Sequence, residues 1–120
     1  MEAKDKVMSQ SITETAFSYN IEDALYKLGW RWMHPRPARV RRHGRDIYET
    51  AYSGHKGWLD YFAIRAPRIL VFELKDDKAN MTPEQEEWFA AWLACQKDNP
   101  FLEVYLWRPK QFCEILEVLK

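Results

Sequence analysis

The run from Ile69 to Lys75 in this chain is apolar on both of its alternate faces until it meets Glu73. In an extended strand Ile69, Val71, Glu73 and Lys75 share one face, and Leu70, Phe72 and Leu74 share the other. A strand that is apolar on both sides belongs in the middle of a sheet covered on both faces, not at an edge. Its charged end is the anomaly. Burying a carboxylate costs several kcal/mol unless it is paired or bound to a cation.

A second aromatic and β-branched run, Leu59 to Ile64, precedes it, and Arg65-Ala66-Pro67-Arg68 joins the two as a short turn. Antiparallel pairing across that turn brings Asp60, thirteen residues before Glu73, close to it. Two neighbouring carboxylates repel unless a cation lies between them. Oxygen-only ligation of this kind suits a hard divalent ion, Mg2+ or Mn2+ rather than zinc. Lys75, on the same face as Glu73, points at the same place. The plainer readings are a solvated ion pair of Glu73 with Lys75, and a turn-capping role for Asp60.

Gly57-Trp58-Leu59-Asp60, Phe72-Glu73-Leu74-Lys75 and Thr82-Pro83-Glu84-Gln85 together resemble the signature of the VRR-NUC branch of the PD-(D/E)XK nuclease superfamily, which includes Holliday junction resolvases. The likeness spans most of the chain, from about Thr13 to Leu119. It implies a restriction-endonuclease-like fold with Asp60 and Glu73 as metal ligands, joined by the main-chain carbonyl of Leu74. It also implies Lys75 as the catalytic lysine, Gln85 as the glutamine beside the site, and Glu14 as the glutamate that related nucleases bring from an early helix. Leu59 stands where the family usually has Pro before the Asp; that Pro ligates nothing.

With 120 residues and 47% hydrophobic composition, the chain is long enough for one core. The expectation is a single domain over residues 11–120 after a loose, polar stretch, 1–10. The 18 basic and 18 acidic residues cancel, so the total charge is uninformative about nucleic acid. Their distribution is not: Trp30 to Arg68 holds nine Lys/Arg against three Asp/Glu, whereas Glu73 to Glu103 holds three against eight. A local basic patch is what steers a polyanion. Cys95 and Cys113 are far apart in sequence with no Cys/His cluster, which argues against a zinc site or a disulfide framework. No segment has signal-peptide character or the length to cross a bilayer, so a reducing cytoplasm and no membrane are expected.

In chain order, a helix from about Ser11 to Thr13 through Leu28 carries the stripe Phe17, Ile21, Ala24, Leu25 and Leu28 and ends at Gly29. Glu14 lies on the stripe side of its first turn, where the plainer reading is a favourable interaction with the helix dipole. Trp30 to His34 reads as a strand stopped by Pro35 and Pro37, with His34 a candidate general base, the plainer reading being a packing or hydrogen-bonding residue at a strand end. Arg36, Arg39, Arg41, Arg42 and Arg45, followed by Tyr48 and Tyr52, have too few apolar neighbours for a core. They are expected on a surface loop or arm, where arginine pairs with phosphate oxygens, the plainer alternative being a solvated loop. Lys56 adds to this basic set, and Gly54 and Gly57 permit close backbone approach to a ligand.

Thr82-Pro83-Glu84-Gln85 begins a helix with Thr as N-cap and Gln at the capping-box position, and its stripe is Trp88, Phe89, Trp92 and Leu93. Leu102 to Trp107 is a final strand, parallel to the charged one because a helix connects them. Pro109 opens a last helix in which Phe112, Ile115, Leu116 and Leu119 recur at helical spacing. The expected architecture is α/β, a mixed central sheet flanked by helices in the order αβββαβα. The resemblance implies an Mg2+- or Mn2+-dependent DNA endonuclease, structure-selective for Holliday junctions or other branched DNA, working as a homodimer because two symmetric cuts need two sites. Small stand-alone members occur in phages and prophages, which extends the expected compartment to the cytoplasm of a bacterium or of a phage-infected host. Two rivals stand beside it: a non-catalytic DNA-binding or interaction module on the same fold, and a nuclease subunit of a larger helicase or restriction assembly.

Overall fold

The computed structural model describes residues 12–36, 38–49 and 53–120, with the side chains of 38–40 and 49 outside that description. Residues 1–10, expected to be loose, lie outside it together with Ser11, Pro37 and Tyr52.

The first helix, α1 (Glu14–Lys27), starts where Thr13 Oγ1 accepts the Ala16 N–H at 3.0 Å. It buries Phe17, Ile21, Ala24 and Leu25 of the expected stripe, with Leu28 at its C-cap only partly buried, and Gly29 turns the chain away at φ +80°. Strand β1 (Arg31–Met33) follows, then β2 (Ala38–Arg42) and β3 (Arg45–Glu49). After these come β4 (Tyr61–Arg65), β5 (Arg68–Leu74), α2 (Pro83–Gln96), β6 (Leu102–Trp107), a 3-10 turn at Pro109–Gln111, and α3 (Phe112–Leu119). The protein is thus mixed α/β, but the expected order αβββαβα omits two strands. The Arg-rich segment is not a loop: β2 and β3 form their own two-stranded antiparallel sheet. His43 (φ 51°) and Gly44 (φ 74°) make its turn, and two consecutive positive-φ residues are what a tight twisted hairpin needs.

The main sheet runs β1-β4-β5-β6, so β5 is interior as expected. It pairs antiparallel with β4 and parallel with β6. Alternation along β5 then sorts the two layers. Leu70, Phe72 and Leu74 face Phe17, Ile21 and Leu25 of α1 and Ile115 and Leu119 of α3, with Tyr61, Ala63 and Trp107 completing that core. Val71 faces the other way, with Leu59, Leu102 and Val104, and is covered by Trp88, Phe89 and Trp92 of α2. Leu93, expected in the same stripe, is 38% exposed. Helices on both faces of a central strand explain why β5 can be apolar on both sides.

Candidate functional site

The β4–β5 register pairs Tyr61 with Phe72, so the next step beyond the ladder sets Asp60 against Glu73. Hydrogen bonds fix this meeting from both sides. The Asp60 main-chain N–H donates to Glu73 Oε2 at 3.0 Å, and the Leu74 N–H donates to Asp60 Oδ2 at 3.1 Å. Glu73 is 1% exposed in spite of its charge. Its carboxyl is pushed up to about 8, first by burial and then by the charge of Asp60. Lys75 Nζ stands 3.5 Å from Glu73 Oε1, with only 13% of its side chain exposed.

Gln85 joins this pair from α2. Its Nε2 donates to Glu73 Oε1 at 3.0 Å, while its Oε1 accepts the Thr82 N–H at 2.9 Å and its own N–H reaches Thr82 Oγ1 at 3.2 Å. The capping box and the site contact are therefore one arrangement, and the helix start holds the amide that orients Glu73. Glu14, in the first turn of α1, lines one cleft with Asp60: its carboxyl is raised by burial and then by Asp60, and lowered by Lys75. The loop after Lys75 is pinned by Arg108, whose Nη1 donates to the carbonyls of Asp76 and Ala79 at 2.6 and 2.7 Å.

A cleft of about 640 Å³ opens at this end of the sheet, lined by Glu14 and Asp60 and continuing past Ser18, His34, Arg36, Tyr48 and Trp58. Its far wall is organised by Glu22, which the sequence did not mark. Glu22 Oε2 accepts from Arg36 Nη2 at 2.7 Å and from the Tyr61 hydroxyl, and His34 Nδ1 lies at 3.4 Å. His34 stacks on Tyr61 with ring centroids 4.1 Å apart. The signal for Glu22 was present: Glu14, Ser18 and Glu22 recur every four residues and so share a helix face.

Of the expected basic contacts, Arg36 lines the cleft, but the others do not gather there in the same way. Arg41 pairs with Asp46 across the β2–β3 hairpin at 3.7 Å, and Arg42 and Arg45 are exposed on the same hairpin. The Arg39 side chain lies outside the described residues. Lys56 lines a separate shallow recess with His55, Glu87, Trp88 and Ala91. Gly57 also departs from expectation. A Cβ there would lie 2.5 Å from the Glu84 carbonyl carbon, so the close approach it permits is to the start of α2, not to a ligand.

Among the described residues no three His, Cys, Asp or Glu side chains form a metal group by themselves. A cation here would take the Asp60 and Glu73 carboxylates and a third oxygen from the main chain. A residue's N–H and C=O point to the same side of a strand; the Leu74 N–H reaches Asp60, so its carbonyl is the main-chain oxygen on that side of β5. All of these donors are oxygens, and two are carboxylates held together against their mutual repulsion. That set fits a hard divalent cation. No helix among the described residues is long and apolar enough to cross a membrane. Comparison with protein-family models, with curated proteins and with solved structures finds no match for this chain.

Proposed function

We propose that this protein is a divalent-metal-dependent DNA endonuclease that hydrolyses phosphodiester bonds in the cleft beside Asp60. The observation that carries this reading is the reciprocal tie of Asp60 to the Glu73-Leu74 step at the end of a buried central strand, with Lys75 Nζ 3.5 Å from Glu73 Oε1. A fold that only needed polar satisfaction there has no use for two carboxyl groups on one spot, whereas a cation site does.

In this reading Asp60, Glu73 and the Leu74 carbonyl would hold Mg2+ or Mn2+, which would supply Lewis-acid chemistry toward the phosphodiester and a water nucleophile. Gln85 fixes the rotamer of Glu73, so one carboxylate oxygen is aimed before any substrate arrives. The Lys75 ammonium, shielded from solvent, stabilises the negative charge that grows on the phosphate as water adds and the leaving oxygen departs. Glu14 lines the cleft with Asp60, and its raised carboxyl would accept a proton from the attacking water there. Arg36 contributes positive charge to the cleft wall, and the arginines of the β2–β3 hairpin extend the basic surface. Branched DNA is the proposed substrate and a homodimer the proposed working state, since resolving a junction takes two opposed cuts.

Single-stranded, duplex, flap and four-way DNA incubated with Mg2+, with Mn2+ and with chelator test the reading. Cleavage that needs the metal and disappears in Asp60→Ala is expected. Asp60→Ala cutting like the wild type would overturn the assignment. Sedimentation with cut-site mapping tests the dimer separately: a monomer making single nicks removes the resolvase reading and leaves the nuclease one.

A further inference from the structure

Two residues before Asp60, Trp58 lines the same cleft and is 42% exposed, the one exposed tryptophan of six. Its ring is nevertheless fixed. Trp88 and Trp92 hold it edge-to-face, with centroids 4.9 and 5.8 Å away and interplanar angles of 78° and 75°. The backbone beside it is fixed as well: Gly57, at φ +91°, is seated against Glu84, and Trp88 Nε1 donates to the His55 carbonyl at 3.3 Å. These contacts all come from α2, the helix that sends Gln85 to Glu73. The exposed ring and the carboxylate pair are therefore carried on one rigid unit, with the Trp58 and Asp60 Cα atoms no more than about 7 Å apart.

We propose that Trp58 is a stacking platform for an unpaired base of the strand cut at the carboxylate pair, so that single-stranded or locally unpaired DNA is taken in preference to intact duplex. This rests on the nuclease reading and narrows its substrate class. Paired DNA hides its base faces inside the stack, and a protein ring reaches one only where a strand is single, flapped or flipped out. Tyr48, 70% exposed and lining the same cleft, offers a second aromatic surface, and Arg36, paired with Glu22 but with 48% of its side chain exposed, keeps donors for the backbone. A ring that only completed the packing around α2 would affect stability without telling one DNA form from another.

Fluorescence anisotropy in chelator, where nothing is cut, compares the wild type, Trp58→Leu and Trp58→Phe on a short labelled single strand and on the duplex of the same sequence. Trp58→Leu is expected to weaken single-strand binding by about 5- to 100-fold, the range a stacked base supplies, and to leave duplex binding within about two-fold. Trp58→Phe, which keeps a π-face, is expected to retain most of the single-strand affinity. An abasic position walked along the strand needs no variant, and one position is expected to reproduce the loss. Equal losses on both DNA forms, no loss on either, or indifference to every abasic position would overturn the proposal. If the wild type cuts DNA with metal while these comparisons fail, only the stacking role falls; if it neither binds nor cuts any DNA, the nuclease reading falls first.

Discussion

The two ends of the β4–β5 pair both carry partly or fully buried charge, but they treat it in opposite ways. At the turn end, Arg65 donates to the carbonyls of Leu28, Leu119 and Lys120 at 2.8, 3.0 and 2.7 Å and lies over the Trp30 ring at 4.5 Å. Arg68 makes a bidentate pair with Glu103 at 2.6 and 2.8 Å, and Tyr105 donates to the same carboxylate. Each cation there meets opposite charge or carbonyl oxygen, and Arg65 ties the ends of α1 and α3 to the sheet. At the other end Asp60 meets Glu73, a charge of its own sign, and only backbone N–H groups, Gln85 and Lys75 offset the cost. Complementary charge is what a fold needs for its own stability. Convergent like charge, held in place by the backbone, is what a cation site needs.

The two ends are expected to differ most in activity. Asp60→Ala, Glu73→Ala and Lys75→Ala are each expected to abolish metal-dependent cleavage while DNA binding in chelator stays near that of the wild type. Arg65→Ala, at the other end, should leave cleavage per folded molecule intact but lower unfolding free energy by about 2–4 kcal/mol, because three carbonyls lose a charged donor. Urea denaturation read beside the cleavage rate separates the two classes. An Arg65→Ala protein of unchanged stability would show that the turn end is not the structural one.

The site end of this contrast was largely legible in the sequence, and the turn end was not. The short turn fixed the register arithmetic, so Asp60 opposite Glu73 follows from counting, and Thr82 with Gln85 three residues later announces a helix start whose glutamine turns toward the sheet. The partners of Arg65 lie 37 to 55 residues away, at helix ends whose position only the packed fold defines. The β2–β3 hairpin was missed for a different reason. His43-Gly44 is a usable turn signal, but Val40↔Ile47 is the one register pair of these strands with an aliphatic residue at both positions, so the alternation that marks a half-buried strand is nearly absent from the sequence.

A subtler contrast appears in pH dependence. The Glu73 carboxyl is held above its ordinary 4.5, at about 8, by burial and then by Asp60, so the folded chain binds that proton more tightly than the unfolded chain. In chelator its contribution is favourable below about 4.5 and is lost as pH rises from there through about 8. Glu103 has the opposite sign: hydrogen bonding to Arg68 holds it below its usual range, so its contribution is present at neutral pH and lost as pH falls through that depressed value. Urea midpoints across pH should show Glu73→Gln flattening the neutral limb and Glu103→Gln flattening the acid limb. The same limb flattened by both variants would contradict the division.

The smallest effect expected is on DNA affinity. Replacing Arg36, Arg41, Arg42 and Arg45 together by Gln should weaken binding evenly across sequences and flatten the log–log salt dependence by about one unit for each phosphate no longer neutralised. An unchanged slope would make the hairpin arginines solvated surface only.

The most direct test of the division is the unfolding midpoint of wild type and Asp60→Asn with and without Mn2+. Asn keeps an oxygen for the Leu74 N–H and removes the like charge beside Glu73. In chelator, Asp60→Asn is therefore expected to be at least as stable as the wild type. Mn2+ at about 100 times its dissociation constant should stabilise the wild type by about 2.7 kcal/mol and leave Asp60→Asn unmoved. An Asp60→Asn protein less stable than the wild type in chelator, together with a wild type indifferent to Mn2+, would contradict the account and make Asp60 as structural as Arg65.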